Sequence, residues 1–195
     1  MTYPTTFDVE TPEKLDNWRP LVQWLMAIPH LIIANALESV AAVVAFISWF
    51  VILFTGKLPE GLANLQMMYI RYSTRALSYA GFLHDQYPPF EFSSEAAEPG
   101  GTPVAVSFQP QLENRNRLTV GLRIIWAIPI LIFTAVVGFV SFLLWIVAFF
   151  AVLFTGSWPA GLRDFVVKVI RLSVRVNAYM FLLTDEYPPF ELPTD

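Results

Sequence analysis

A duplication with a constant offset of 100 residues is the feature that most constrains how this chain can fold. The segment AIPHLI at 27–32 returns as AIPILI at 127–132. Between 27–91 and 127–191, 26 of 65 positions are identical, and no gap is needed to align them. Apolar composition alone would not keep two segments in register over this length. The chain therefore contains one module twice, and both copies are expected to adopt the same fold.

The composition indicates that lipid is part of the solvent. Charged residues make up 14% of the chain, hydrophobic residues 55%, and the mean hydropathy is +0.53. An ordinary soluble domain carries about 25% charged residues. This excludes a typical soluble enzyme and a disordered protein. The first 17 residues are polar and acidic, unlike a secretory signal. We therefore expect the later apolar segments to target and anchor the chain in the bacterial inner membrane.

The inventory of reactive side chains argues against catalysis and cofactor binding. The net charge of −4 disfavours nucleic acid as a partner, since such proteins need a basic surface. The chain has no cysteine and two histidines, and neither histidine recurs in the other copy. No serine stands in a nucleophile-elbow motif. These features predict a protein that is not an enzyme and that needs no metal or other cofactor.

Each copy carries an apolar run of 37 residues, at 18–54 and 118–154. A straight helix of this length would measure ~55 Å, whereas the hydrocarbon core of a bilayer is ~30 Å thick. One interpretation is a single tilted span preceded by an interfacial helix. The other is a hairpin of two short transmembrane or re-entrant segments that turns near 35–39 and 135–138. The hairpin places all basic residues on one side, in agreement with the positive-inside tendency.

The hairpin leads to our fold prediction, an all-α integral membrane protein. It has four short spans, both termini in the cytoplasm, and two copies related by an axis along the membrane normal. After each hairpin, the motif FTGxxPxGL predicts a sharp corner, because glycine ends helices in a left-handed conformation and proline opens the next one. The residues assigned to these structural turns are Gly56, Pro59, Gly61, Gly156, Pro159 and Gly161.

A second helix is predicted in each copy, at 62–83 and 162–183, with a narrow basic stripe on an otherwise apolar surface. Such a helix is typical of one that lies in the membrane interface and contacts anionic lipid headgroups. The alternative is that the stripe forms ion pairs with acidic residues of the neighbouring arm. The residues concerned are Arg71, Arg75, Lys168, Arg171 and Arg175.

Each module closes with the motif DxYPPFE. Adjacent prolines stiffen the chain in an extended form, and the aromatic rings suit a membrane interface. We favour a segment that folds back onto its own module over one that docks into a partner's groove. The motif residues are Tyr87, Pro88, Pro89 and Phe90 in the first copy, and Tyr187, Pro188, Pro189 and Phe190 in the second.

The polar arm that opens each module contains a short alternating pattern, at 6–10 and at 104–108. The two patterns predict two β-strands that pair with each other outside the membrane. The resulting organisation is a first membrane module at 1–92, a linker at 93–101 and a second module at 102–195. The linker is assigned by its composition, SSEAAEPGG.

At these motifs the chain resembles the DUF4389 family, a bacterial membrane domain of unknown function, in two tandem copies. The second copy departs from the pattern where Ile130 replaces the histidine of the IPH motif and where QLEN at 111–114 replaces PExL. The resemblance implies no activity. The motifs that carry it in the first copy are YP at 3–4, PEKL at 12–15, AIPH at 27–30, FTG at 54–56, PxGL at 59–62 and DxYPPF at 85–90.

The sequence has clear structural motifs in both copies and no motif for a reactive site. This combination favours a non-catalytic accessory or scaffold subunit of a larger membrane complex. The alternative is a lipid-binding or membrane-shaping protein that uses in-plane amphipathic helices. A small transporter or channel is the third hypothesis. The expected partners are membrane lipids, including anionic ones, and other integral membrane subunits or a second copy of the chain. For His30, in the first apolar run, we expect a structural role with a bond to a backbone or partner oxygen.

Overall fold

The computed structural model describes residues 3–193 and shows a mostly helical protein with one small sheet. Residues 1, 2, 194 and 195 lie outside the described part, so the position of the termini stays a prediction. The elements, in chain order, are β1 (Thr5–Val9), α1 (Arg19–Thr55), α2 (Glu60–Ala80), β2 (Val104–Phe108), α3 (Arg117–Gly121), α4 (Arg123–Thr155) and α5 (Ala160–Met180).

The sheet is made by the two copies together. β1 and β2 pair in antiparallel register, with Thr5 opposite Phe108 and Asp8 opposite Ala105. Adding 100 to one residue of a pair and subtracting 100 from its partner converts the first of these pairs into the second. The two copies are therefore related by a pseudo-twofold axis through the sheet. This confirms the predicted pairing of the two arm strands.

Within each copy the long apolar helix packs antiparallel on the shorter helix that follows. At one end, the Gln23 side-chain amide donates a 2.7 Å hydrogen bond to the carbonyl of Tyr79. Further along, Gln66 of α2 donates to the Ala41 carbonyl of α1 at 3.1 Å. α4 and α5 make the equivalent pair. These two hydrogen bonds join α1 to α2 at positions 18 residues apart on α1.

The arms cover the short helices on another face, and each arm covers the helix of the other copy. The segment 101–112 runs along α2, because Leu58 donates its backbone N–H to Leu112 at 2.7 Å while Gln86, beyond the far end of α2, donates to Gly101 at 2.9 Å. The segment 3–15 runs along α5 in the same way. The modules are interleaved rather than separate bodies, with an apolar helix layer, a middle layer of α2 and α5, and an outer layer of arms.

The predicted helical hairpins are wrong. α1 is one helix of 37 residues and α4 one helix of 33, and both continue through the proposed turns at 35–39 and 135–138. Asn35 does not end the helix, since its carbonyl accepts a bond from the Ser39 hydroxyl inside it. Glutamate is a good helix former, and the packing of α2 along α1 stabilises the helix on both sides of Glu38. The four-span topology therefore does not describe this chain.

The predicted corners are present in both copies. Gly56 and Gly156 end α1 and α4 in the left-handed conformation, with φ of 71° and 70°, and Pro59 and Pro159 directly precede α2 and α5. A side chain at Gly156 would meet the carbonyl oxygen of Leu15 at 2.8 Å. Each corner also receives an arm, because Leu15 donates to the carbonyl of Gly156 at 2.7 Å.

Candidate functional site

The basic stripe of α2 lies beneath the linker instead of facing solvent. Arg71 is 1% exposed and pairs with Glu98 at 3.2 Å, while its guanidinium also donates to the carbonyl of Val106. Arg75 pairs with Glu91 at 2.8 Å and also contacts Glu98. One linker carboxylate is therefore shared by two buried arginines. Both arginines of α2 therefore form ion pairs, but their partners are Glu98 of the linker and Glu91 of the closing motif, not acidic residues of the arm as our alternative interpretation had it.

The stripe of α5 lies beneath the N-terminal arm. Arg171 donates to the Phe7 carbonyl at 2.9 Å and lies 3.7 Å from the carboxylate of Asp8. The Arg175 guanidinium lies over the ring of Tyr3, 5.1 Å from its centroid. Lys168 is partly exposed on the same helix. The arginines of both stripes thus hold the arms on the middle layer. Any role in headgroup binding stays a prediction.

Gly61 and Gly161 differ from the other corner residues. Both are exposed in the first turn of their helices, and a Cβ at either would contact nothing within 4 Å. Their conformation does not require glycine, in contrast to Gly56 and Gly156. Of the two glycines in each motif, only the first is required by the conformation of the corner.

Both YPPF motifs fold back onto their own copy, as we favoured. Tyr187 donates its hydroxyl to the carbonyl of Trp126 at 3.1 Å, and Phe190 contacts the ring of Phe133 with centroids 5.9 Å apart. In the first copy, Tyr87 and Phe90 pack on His30. The prolines position these rings: Pro88 and Pro188 are buried, Pro89 is exposed, and Pro189 is partly exposed.

His30 is enclosed by aromatic rings. It is fully buried, its Nδ1 lies 2.8 Å from the hydroxyl of Tyr72, and it stacks on Phe90 with centroids 4.3 Å apart. Its expected partner, a backbone or partner-protein oxygen, is thus replaced by a tyrosine hydroxyl. In the second copy Ile130 and Leu172 occupy the equivalent positions in an apolar cluster. Between the two copies, His30 changes to Ile130 and Tyr72 changes to Leu172. Sequence analysis considered His30 alone and therefore missed that the two replacements go together.

A buried arginine fixes the start of α4. Arg123 donates to the carbonyls of Tyr179 and Thr184 and to the carboxylate of Asp185 at 2.5 Å. Asp185 also accepts from Arg115 at 2.7 Å. Burial alone would raise the pKa of Asp185, but the hydrogen bond and charge of Arg115, with the charge of Arg123, hold that pKa below its usual value.

The exposed surface divides into an apolar side and a polar side. Most of the exposed large apolar side chains lie on α1 and α4, whereas the arms carry exposed acidic residues. Both helices are long and apolar enough to cross a membrane. Only 22% and 11% of their most apolar windows is buried, unlike the core helix of a soluble protein. We call the exposed surface of α1 and α4 the apolar face.

Two grooves lie side by side on the middle helices. A groove of about 390 Å³ lies between α2, α4 and α5, and one of about 300 Å³ lies between α1, α2 and α5. Leu77, Ile170 and Ser173 line both, so the two grooves are adjacent, and together we call them the cleft. Glu38 lines the second groove and its counterpart Gly138 the first. Sequence analysis assigned both residues to turns and therefore missed the cleft.

Among residues 3–193 no group of three or more histidine, aspartate or glutamate side chains is arranged to hold a metal ion. The geometry instead defines a duplicated helical protein with one apolar face and one polar face. The family described as a domain of unknown function, DUF4389, matches residues 17–91 and 117–191. The chain belongs to this family and contains its domain twice. No curated protein and no solved structure matches the chain.

Proposed function

We propose that the chain is a non-catalytic membrane protein that lies in one leaflet, with α1 and α4 in the membrane plane. The observation that carries this proposal is the separation of the apolar face from the charged arms across the middle layer. If α1 crossed the bilayer, the arm and linker packed along α2 would enter the hydrocarbon core with it. That would bring Glu98 and the exposed Glu95 into lipid, which is costly for charged groups.

The length of the helices supports the same orientation. α1 and α4 have 37 and 33 residues, more than the about 20 that a transmembrane helix needs. A helix in the membrane plane has no such limit and buries its apolar surface ~5–10 Å into the leaflet. Both long helices contact each other and share one side of the middle layer. Sequence analysis left lipid binding open as the alternative function, but it assigned the in-plane position to the second helices at 62–83 and 162–183.

Vesicle flotation tests the proposal. The variant carrying Val43→Glu and Phe139→Glu places two charges on the apolar face, at side chains that are 60% and 63% exposed. We expect the vesicle-bound fraction to fall about tenfold or more, because charges in the apolar layer cost up to ~2.5–3.5 kcal/mol each. The matched control is Thr6→Glu with Gln109→Glu, on exposed arm positions. Equal flotation of both variants would contradict the proposal.

A second candidate is the accessory subunit of a larger membrane complex. The observation that favours it is a line of exposed aromatic residues on α1, Phe46, Phe50 and Phe54, spaced four residues apart on one helix face. Such a line supplies contact surface for a second helix. Purification in mild detergent tests it: a partner in fixed stoichiometry that is lost in Phe50→Ala supports this role. A solitary protein with bound lipid opposes it.

Location in the bacterial inner membrane with the polar side in the cytoplasm remains part of the proposal. The chain has no cysteine, so Ser94→Cys gives a single label site in the linker. We expect no reaction with an impermeant thiol reagent on intact cells and full reaction after lysis. Labelling of intact cells would place the polar side outside.

A further inference from the structure

The two halves of the cleft differ in chemistry although they are formed by equivalent elements of the two copies. Position 38 is glutamate in the first copy and position 138 is glycine in the second. The polar half is lined by Asn35, Glu38 and Asn177. The apolar half is lined by Gly138 and Trp145, among others. A ligand that fills both halves must therefore have a polar end and an apolar end.

One charged side chain of α1, Glu38, lines the polar half. After Arg19 at its first position, Glu38 is the only aspartate, glutamate, lysine or arginine of α1. It is exposed, and it lies near the phenol of Tyr69. The groove that Glu38 lines carries no lysine or arginine, and a carboxylate is stabilised by a cationic partner that can donate hydrogen bonds. The charge of Glu38 thus selects a positively charged group.

The apolar half has room for a hydrocarbon chain. A Cβ at Gly138 would contact nothing within 4 Å, so the absent side chain leaves this half open. The indole of Trp145 lies on the ring of Phe82, with centroids 5.3 Å apart, and forms one wall. Phe142, which also lines this half, is an exposed residue of the apolar face. The half is therefore continuous with the surface that faces lipid.

We propose that the cleft binds one aminophospholipid, with its ammonium group at Glu38 and an acyl chain in the half lined by Gly138. This proposal rests on the membrane placement given above. Charge complementarity selects the ammonium group, and continuity with the apolar face supplies the chain from the same leaflet. The cleft gives the protein a specific lipid contact in addition to the non-specific burial of its apolar face.

Binding of short-chain lipids to the detergent-purified full chain tests the proposal. Native mass spectrometry counts bound dioctanoyl phosphatidylethanolamine and dioctanoyl phosphatidylglycerol, which have the same chains and differ in the headgroup. We expect one ethanolamine lipid per chain, with a preference of about tenfold over the glycerol lipid, the size of one charge-assisted hydrogen bond. Glu38→Gln should remove this preference, and Glu38→Asp should retain most of it.

The apolar half has its own variant and a matched control. Gly138→Phe should fill the groove and lower binding of both lipids about tenfold, whereas Gly161→Phe, at an equally open glycine outside the cleft, should leave binding unchanged. Unchanged ethanolamine preference in Glu38→Gln, or equal binding by the two phenylalanine variants, would overturn the proposal. Vesicle flotation separates the two proposals, because a wild type that floats but shows no preference contradicts only the cleft.

Discussion

The two copies hold the same junction of helices with different side chains. In the first copy Gln23 donates to the carbonyls of Tyr79 and His84, at 2.7 and 2.6 Å. In the second copy Arg123 donates to the equivalent carbonyls of Tyr179 and Thr184. The acceptors are backbone atoms in both. The fold therefore requires a hydrogen-bond donor at this position and does not specify whether that donor is neutral or charged.

A charged donor brings its own requirements. Arg123 is buried and needs the carboxylate of Asp185, which also accepts from Arg115 and from the backbone N–H of Asn116 at 2.8 Å. Gln23 needs no such counter-ion. The second copy therefore depends on a buried arginine at this position, whereas the first copy has the two hydrogen bonds of Gln23 and a more exposed ion pair of Arg19 with Asp85 at 3.7 Å.

Removal of Arg123 is expected to have the largest effect. Arg123→Leu leaves the partly buried carboxylate of Asp185 with one fewer counter-ion and two carbonyls without their donor. Breaking a buried pair costs about 3–5 kcal/mol. Gln23→Leu removes the equivalent neutral donor and should cost about 1–3 kcal/mol. Thermal unfolding in detergent measures both. Equal destabilisation by the two variants would show that the charge of Arg123 adds nothing.

The second prediction concerns acid stability and His84, which follows α2 and is replaced by Thr184 in the second copy. Burial lowers the pKa of His84 to about 4. Its stabilising contribution is fully present above pH 6.5, the pKa of an unperturbed histidine, and is lost as the pH falls towards 4, since the unfolded chain binds the proton more readily. We expect a loss of about 3 kcal/mol over this window.

His84→Thr uses the residue that the second copy has at the buried equivalent position. The variant should remove most of the slope of unfolding free energy between pH 6.5 and 4. Glu113→Gln, at the exposed end of an arm, serves as the control and should leave that slope in place. A wild-type stability that does not change over this window would contradict the buried neutral state of His84.

A third and smaller effect is expected where His30 and Tyr72 face Ile130 and Leu172 of the other copy. His30→Ile alone leaves the buried hydroxyl of Tyr72 without its partner and should cost about 1–3 kcal/mol. Adding Tyr72→Leu should restore part of this loss, because it reproduces the apolar pair of the second copy. A double-mutant cycle of unfolding free energies gives the coupling. Additive losses would show that the 2.8 Å contact contributes no net stability.

Sequence reasoning succeeded where a local rule acts on the backbone. The corners follow from glycine and proline at fixed spacing, and the strand pairing follows from two alternating segments of a duplicated arm. The corners and the strand pairing each depend on few residues, and the duplication places the same residues in both copies. The closure of Tyr87 and Tyr187 onto their own copies followed from the same symmetry.

Sequence reasoning failed where packing decides. Asn35 and Glu38 suggested a turn because polar residues interrupt an apolar run, but α2 stabilises α1 as one helix on both sides of them. Whether α1 and α4 cross the membrane or lie in its plane depends on which surfaces the folded chain leaves exposed, so an apolar run alone could not decide it. The burial of Arg71 under Glu98 could not be predicted either, because the linker that supplies this acid has no regular pattern.

The depth of spin labels along α1 shows whether this helix lies in the membrane plane. Leu25, Val43 and Phe54 are exposed. Val43 and Phe54 lie 18 and 29 residues after Leu25, which is close to whole numbers of helical turns, so the three side chains lie along one line of the helix. Collision with oxygen and with a water-soluble nickel complex gives the depth of each label. The account predicts the same depth at all three positions. A depth that changes steadily along the ~44 Å from position 25 to position 54 would contradict it and show that α1 crosses the membrane.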